Sequence, residues 1–181
     1  MKNIYLVGFM GSGKSTVGKI LAEKLNMNFV DIDKLIEEKE GMKIKDIFEQ
    51  KEESYFRKLE RKQIEAIVKQ EGLVVSTGGG LGANLDNMNF MKKNGDVVWL
   101  DVSLNTVLDR LKNDQDRPLL KQPTEKIKQL FEERKNVYRL ANIRINADKK
   151  NAKSNCRRNF NKNKKEIIYE HFNHRRSRLY R

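Results

Sequence analysis

A glycine-rich motif near the amino terminus has the residue types and the spacing that bind phosphate. Gly8, Gly11 and Gly13 are followed directly by Lys14 and Ser15, which gives the pattern G-x-x-x-x-G-K-S. Glycines let a turn wrap its backbone amides around phosphate oxygens, the lysine reaches the terminal phosphates and the serine hydroxyl suits Mg²⁺. The motif therefore predicts a site for a nucleoside triphosphate, and an ordinary glycine-rich turn before a helix is the alternative.

A pair of carboxylates, Asp31 and Asp33, occurs as Asp-Ile-Asp after the next predicted strand. Alternate side chains of an extended chain project to the same side, so we expect both carboxylates to face one site. One of them can hold the water shell of Mg²⁺ while the other takes the hydroxyl of an acceptor molecule. The alternative is that the pair caps a helix that begins at Lys34.

Three consecutive glycines, Gly78, Gly79 and Gly80, follow Ser76 and Thr77 at the end of a third predicted strand. Without side chains, their backbone amides can approach a ligand closely at the carboxyl edge of a parallel sheet. The segment is therefore a candidate substrate-binding turn, and a flexible connector is the alternative.

The elements that must position these residues alternate between short β-branched runs and amphipathic stretches, which is typical of a parallel α/β sheet. The predicted strands cover residues 4–7, 28–30, 73–75, 96–102 and 143–145, and predicted helices include 15–24 and 104–112. The residues expected to face the core from helices are Val17, Ile20, Leu21, Tyr55, Phe56, Leu59, Ala66, Ile67, Ile127, Leu130, Phe131 and Tyr138. Residues 113–124 are polar, contain both prolines and are expected to form a mobile loop.

Composition excludes several kinds of chemistry. The 181 residues, 38% of them apolar, suffice for one compact domain. No apolar run reaches the length of about eighteen residues that spans a membrane, and no signal-peptide pattern develops, so we expect a cytoplasmic protein. Residues 1–149 contain neither His nor Cys, which excludes His-dependent nucleophiles and His- or Cys-ligated zinc from that part of the chain.

The net charge of +13 is unevenly distributed. Residues 149–181 contain 12 Lys or Arg and 2 Glu, whereas residues 1–148 contain 26 basic and 23 acidic side chains. Only the tail is strongly basic, so nucleic acid is not the expected partner. A nucleic-acid-binding module that uses the tail stays open as an alternative, and it predicts salt-dependent binding that is lost on truncation after Asp148.

Several motifs in order resemble those of the shikimate kinase family. They run from Lys2 to about Ile145 and comprise GFMGSGKST, DID, YFRKLE, STGGG, RPLL and ERKNVYR. The resemblance implies a three-layer α/β P-loop kinase fold, in which helices flank a five-stranded parallel sheet and residues 113–124 form a mobile lid. It also implies transfer of the γ-phosphoryl group of ATP to the 3-hydroxyl of shikimate, with Mg²⁺, by a monomer. Another P-loop kinase, acting on gluconate or a nucleoside monophosphate, is the alternative.

The same resemblance implies a role for each matching residue. The catalytic residues are Asp33, Lys14 and Arg117. The nucleotide would be held by Gly11, Ser12, Gly13, Lys14, Ser15, Thr16, Arg110 and Arg117, and Mg²⁺ by Ser15 and Asp31. Shikimate would contact Asp33, Arg57, Gly78, Gly79, Gly80 and Arg134. Two guanidinium groups suit a carboxylate substrate, because each offers a planar pair of donors.

The resemblance fails after Ile145, where the family continues with a Pro and an amphipathic helix. We expect residues 1–148 to form the catalytic domain and residues 149–181 to be a disordered basic tail or an out-of-frame translation. Lys150 to Asn163 can be encoded so that deletion of one A from the opening run restores Lys-Thr-Pro followed by an amphipathic sequence. A single inserted base would therefore account for the tail.

Overall fold

The computed structural model of the protein describes residues 1–112 and 122–148. Its centre is a parallel sheet of five strands in the order β2-β3-β1-β4-β5. The strands are β1 (Asn3–Val7), β2 (Asn28–Asp31), β3 (Leu73–Ser76), β4 (Gly95–Asp101) and β5 (Ile143–Asn146). The five parallel strands predicted from the sequence are confirmed, with ends shifted by one residue at most.

Helices cover both faces of the sheet. They are α1 (Lys14–Leu25), α2 (Ile32–Glu40), α3 (Ile44–Gln50), α4 (Glu53–Ile67), α5 (Gly79–Ala83), α6 (Leu85–Asn94), α7 (Leu104–Leu111) and α8 (Thr124–Tyr138). Successive residues of β1 supply opposite faces, since Ile4 and Leu6 belong to one apolar cluster whereas Tyr5 and Val7 belong to the other. The predicted three-layer arrangement is therefore confirmed. Within the described ranges, no helix is long and apolar enough to cross a membrane.

The register of the central strands brings the three candidate motifs together. Ser76 of β3 pairs with Leu6 of β1 on one side and with Asp31 of β2 on the other. The glycine-rich loop after β1, the carboxylates after β2 and the glycines after β3 therefore leave the same edge of the sheet. This is the edge where ligands of open parallel sheets bind.

The prediction that Asp31 and Asp33 share one extended segment is wrong. The strand ends at Asp31 and α2 begins at Ile32, with the Asp31 carboxylate accepting a hydrogen bond from the Lys34 amide at 3.5 Å. The helix cap that the sequence left open is therefore present. Because Asp33 is helical, the two carboxylates face different parts of the site.

The predicted apolar face of α4 is wrong in part. Phe56 and Ile67 are buried, but Tyr55 is 37% exposed and Ala66 is also exposed. The buried face instead contains the polar residues Glu60 and Gln63. A count of apolar residues could not find this face, because two of its members are polar.

The inward faces predicted for α1 and α8 are buried only in part. Val17 and Ile20 of α1 and Leu130 of α8 are half-buried rather than fully inward, whereas Leu21, Ile127, Phe131 and Tyr138 are buried as expected. Most of the predicted lid, including Arg117, and the whole of 149–181 lie outside the described residues.

Candidate active site

The loop between β1 and α1 has the geometry of a phosphate cradle. Gly8, Gly11 and Gly13 have φ values of 142°, 71° and 91°, which side chains rarely allow. A Cβ on Gly8 would lie 2.7 Å from the Leu100 carbonyl oxygen, so the loop also needs glycine there for lack of space. Ser12 is 2% exposed, and its hydroxyl has no hydrogen-bond partner within the part of the chain that the structure describes. An unsatisfied buried hydroxyl in this loop fits a site built for phosphate oxygens.

Lys14, at the start of α1, adds a cation to the cradle. Its ammonium group donates to the carbonyl oxygens of Gly8 at 2.8 Å and of Phe9 at 3.1 Å. Thr16 lies in the exposed first turn of the same helix. The lysine is therefore held across the loop, within reach of any phosphate that the loop binds.

Oxygen ligands suited to Mg²⁺ meet beside the cradle. The Ser15 hydroxyl donates to the Asp31 carboxylate at 2.6 Å and lies 3.3 Å from the Ser76 hydroxyl. No group of three His, Cys, Asp or Glu side chains within residues 1–112 and 122–148 could hold a metal. A P-loop needs no such group, because its Mg²⁺ is held by the serine hydroxyl, a carboxylate and the nucleotide phosphates. The residues present therefore fit Mg²⁺ bound with a nucleotide.

A cleft of about 1020 Å³ lies next to the cradle, and three of the predicted substrate-binding residues line it. Asp33, Arg57 and Arg134 all line it, although they come from α2, α4 and α8. Ile44 and Phe48 of α3 supply apolar wall. Among the charged side chains that line the cleft, Asp33 and the two guanidinium groups, together with this apolar wall, suit a small hydroxylated acid.

Arg57 is held in place by two carboxylates of its own helix. Its guanidinium donates to Glu60 at 2.6 Å and to Glu53 at 2.7 Å. Burial alone would lower the pKa of Arg57, but the two carboxylates outweigh burial and raise it. Arg57 is therefore a permanent cation whose direction is fixed before a substrate arrives.

Glu60 was missed by the sequence reasoning, although it is three residues after Arg57 on the same helix face. Its side chain is 1% exposed, and its Oε1 atom has no hydrogen-bond partner within the described ranges. The pKa of Glu60 is raised to about 7, chiefly by burial; the Asp33 charge also raises it, whereas Arg57 and Arg134 lower it. In the sequence, only the spacing of three residues from Arg57 indicates that Glu60 could pair with it on one helix face.

The charged side chains of the site pack against the backbone of the three glycines after β3. A Cβ on Gly78 would lie 2.6 Å from the Asp33 carboxylate and 2.8 Å from that of Glu60. A Cβ on Gly79 would lie 3.2 Å from the Arg134 guanidinium, and one on Gly80 would collide with the Arg57 guanidinium. The glycines are therefore required because carboxylates and guanidiniums press against this backbone.

Arg110 lies beside the glycine-rich loop rather than at the cleft. Its guanidinium donates to the Gly11 carbonyl at 2.8 Å and to the Ala147 carbonyl at 3.2 Å. It therefore links the phosphate loop to the end of β5. The structure places every predicted site residue at this edge of the sheet except Arg117, which lies outside the described residues.

A parallel sheet ordered β2-β3-β1-β4-β5, with a glycine-lysine-serine loop after β1, defines a P-loop kinase. Residues 10–176 match the family described as shikimate kinase. The chain belongs to the shikimate kinase family, as its motifs predicted.

Individual relatives agree with this assignment. A shikimate kinase from Sulfurihydrogenibium sp. is 95% identical over 150 residues, which are 83% of this chain and 90% of that protein. The crystal structure of shikimate kinase from Aquifex aeolicus has a TM-score of 0.77 at 41% identity and covers 98% of both chains. Shikimate kinase from Acinetobacter baumannii, solved in complex with shikimate, has a TM-score of 0.78 at 33% identity and covers 100% of this chain and 96% of its own.

Proposed function

We propose that this protein transfers the γ-phosphoryl group of ATP to the 3-hydroxyl of shikimate, giving shikimate 3-phosphate and ADP. The observation that carries the proposal is the cleft in which Asp33, Arg57 and Arg134 meet beside the phosphate loop. A ligand with a carboxylate at one end and a hydroxyl at the other matches this arrangement. Membership of the shikimate kinase family supports the same substrate, with ATP and Mg²⁺.

The proposed roles follow from where each side chain lies. Arg57 and Arg134 bind the carboxylate of the acceptor, since a guanidinium offers paired donors to carboxylate oxygens. Asp33, whose carboxylate lies against Gly78, contacts the acceptor hydroxyl and takes its proton as the new bond to phosphorus forms. The acceptor is thereby turned so that its hydroxyl faces the phosphate loop.

The nucleotide side of the site supplies positive charge. Lys14 and the backbone amides of the loop stabilise the negative charge that spreads over the transferred group. Ser15 and Asp31 would hold Mg²⁺, which supplies further charge neutralisation and fixes the phosphates. Arg117 remains a proposed cation of the lid, and Arg110 a proposed neighbour of the adenine.

The test is a coupled measurement of ADP release with shikimate, gluconate and AMP as separate acceptors. We expect turnover with shikimate and little above background with the other two. Asp33→Asn should lower kcat by about a hundredfold or more, the usual contribution of a positioned acid or base. The matched control is Asp86→Asn, which removes an exposed carboxylate from α6 and should leave kcat unchanged. Faster turnover with gluconate or AMP would contradict the proposal.

We further propose that residues 1–148 form one catalytic domain that works as a monomer in the cytoplasm. The segment 149–181 is proposed to be an out-of-frame translation. Its support is the 95% identity to the Sulfurihydrogenibium protein, which extends over 83% of this chain only. The family match, which continues to residue 176, counts against it.

The reading-frame proposal is tested by sequencing the gene over the codons of Lys149 and Lys150. We expect one extra A, whose removal restores Lys-Thr-Pro and an amphipathic helix. A gene that encodes the printed tail without an extra base refutes it. Size-exclusion chromatography with light scattering tests the monomer, and a dimer mass would contradict it.

A further inference from the structure

Tyr138, near the carboxyl end of α8, is fully buried and joined to the substrate-binding turn. Its hydroxyl donates to the Gly79 carbonyl oxygen at 2.6 Å, and its ring lies 6.2 Å from that of Trp99. Burial raises the pKa of Tyr138, so the hydroxyl keeps its proton and remains a donor. The sequence reasoning treated this residue as core only.

The hydrogen bond to Gly79 also determines where the next amide points. A trans peptide is planar, and its C=O and N–H project in opposite directions. Because Tyr138 holds the Gly79 carbonyl, the Gly80 N–H of the same peptide points away from Tyr138. The Arg57 guanidinium lies against Gly80.

Arg134 reaches the same tyrosine hydroxyl from one helical turn earlier. Its guanidinium lies near enough to lower the pKa of Tyr138 against the effect of burial. The NH1 atom of Arg134 lies 3.2 Å from the place of a Cβ on Gly79, the residue whose carbonyl Tyr138 binds. A phenol can donate one hydrogen bond and accept another. The hydroxyl donates to Gly79 and keeps an oxygen lone pair that can accept from the neighbouring Arg134 guanidinium.

We propose that Tyr138 is a positioning residue for the acceptor carboxylate, because its single hydroxyl fixes both the Arg134 guanidinium and the Gly79–Gly80 peptide. The inference rests on the proposed function and names a further residue that controls binding of its substrate. Tyr138 itself does not touch the acceptor; it acts through Arg134 and Gly80. Its loss should weaken acceptor binding and leave nucleotide binding unchanged.

The test is Tyr138→Phe, which removes the hydroxyl and keeps the ring. We expect the KM for shikimate to rise about tenfold, the scale of one lost charge-assisted hydrogen bond. The KM for ATP and kcat should change by less than about twofold, since binding lost equally from substrate and transition state raises KM alone. A general loss of stability would instead lower the active fraction and reduce kcat.

The matched control is Tyr5→Phe. Tyr5 is as completely buried, but its hydroxyl lies beside Asn3 at the amino end of β1. We expect its KM for shikimate to match wild type. Both variants are assayed below their unfolding temperatures, which the fluorescence of the single tryptophan, Trp99, reports.

Two further arms identify the route through which Tyr138 acts. With shikimate methyl ester, which lacks the carboxylate charge, Tyr138→Phe should raise KM by less than about twofold. In an Arg134→Ala background, Tyr138→Phe should raise the KM for shikimate by less than it does in the wild type, because only the route through the Gly79–Gly80 peptide remains. An equal rise for acid and ester, full additivity with Arg134→Ala, or a parallel rise in the KM for ATP would overturn the proposal.

Failure of this inference differs from failure of the proposed function. A wild-type protein that does not phosphorylate shikimate refutes the function and this inference together. A wild-type protein that does so, with an unchanged KM in Tyr138→Phe, refutes only the role of Tyr138.

Discussion

Replacing Glu60 by Gln should make the stability of this protein less dependent on pH. Burial raises the pKa of Glu60 to about 7 from a usual value of 4.5. Because the folded state binds the proton more tightly than the unfolded state, the free energy of unfolding falls as pH rises from about 4.5 to about 7. Glutamine has nearly the same shape and no proton to lose, so this dependence should disappear in the variant.

The magnitude follows from the two pKa values. Each pKa unit corresponds to about 1.4 kcal/mol, so the ionised Glu60 costs the folded state about 3 kcal/mol above pH 7. Between pH 5 and pH 8 the difference in unfolding free energy between Glu60→Gln and wild type should therefore grow by about 2 to 3 kcal/mol. The ion pair with Arg57 forms as Glu60 ionises, and the pKa of about 7 already includes it.

Urea unfolding at pH 5 and pH 8, followed by Trp99 fluorescence, measures the effect. The control is Glu65→Gln on the same helix, which removes an exposed carboxylate paired with Arg61 and should shift by about 0.5 kcal/mol or less. A Glu60→Gln advantage that is the same at both pH values, or larger at pH 5, would refute the reasoning.

Three further substitutions and one removal test other parts of the structure. Lys14→Ala should lower kcat by roughly a thousandfold in the ADP-release assay, because the loop loses its cation; a loss below tenfold would exclude that role. Gly80→Ala should raise the KM for shikimate at least about tenfold with an unchanged KM for ATP, since its Cβ collides with Arg57. Gly18→Ala should lower the unfolding free energy by about 1 to 3 kcal/mol in urea, because its Cβ meets the Phe29 ring; equal stability would show that the ring moves freely. Removing Mg²⁺ with EDTA should abolish turnover, and added Mg²⁺ should restore it.

The sequence alone was sufficient for the fold and for the phosphate loop. Strands buried on both faces read as short apolar runs, and Gly8 to Ser15 is a continuous motif whose function depends on its own backbone. The triple glycine was recognisable for the same reason. Such features are local, so nearby residues in the chain contain the whole signal.

Other features depend on elements that are distant in the chain. The turn at Asp31 separated two carboxylates that a strand would have kept together. Glu60 and Tyr138 look like members of ordinary helix faces until α4 and α8 pack beside the glycines after β3. Only tertiary packing buries a carboxylate next to Arg57, or places one hydroxyl beside both Arg134 and Gly79. The chemistry of such groups is set by burial and by neighbours from other elements, and a sequence read in order contains neither.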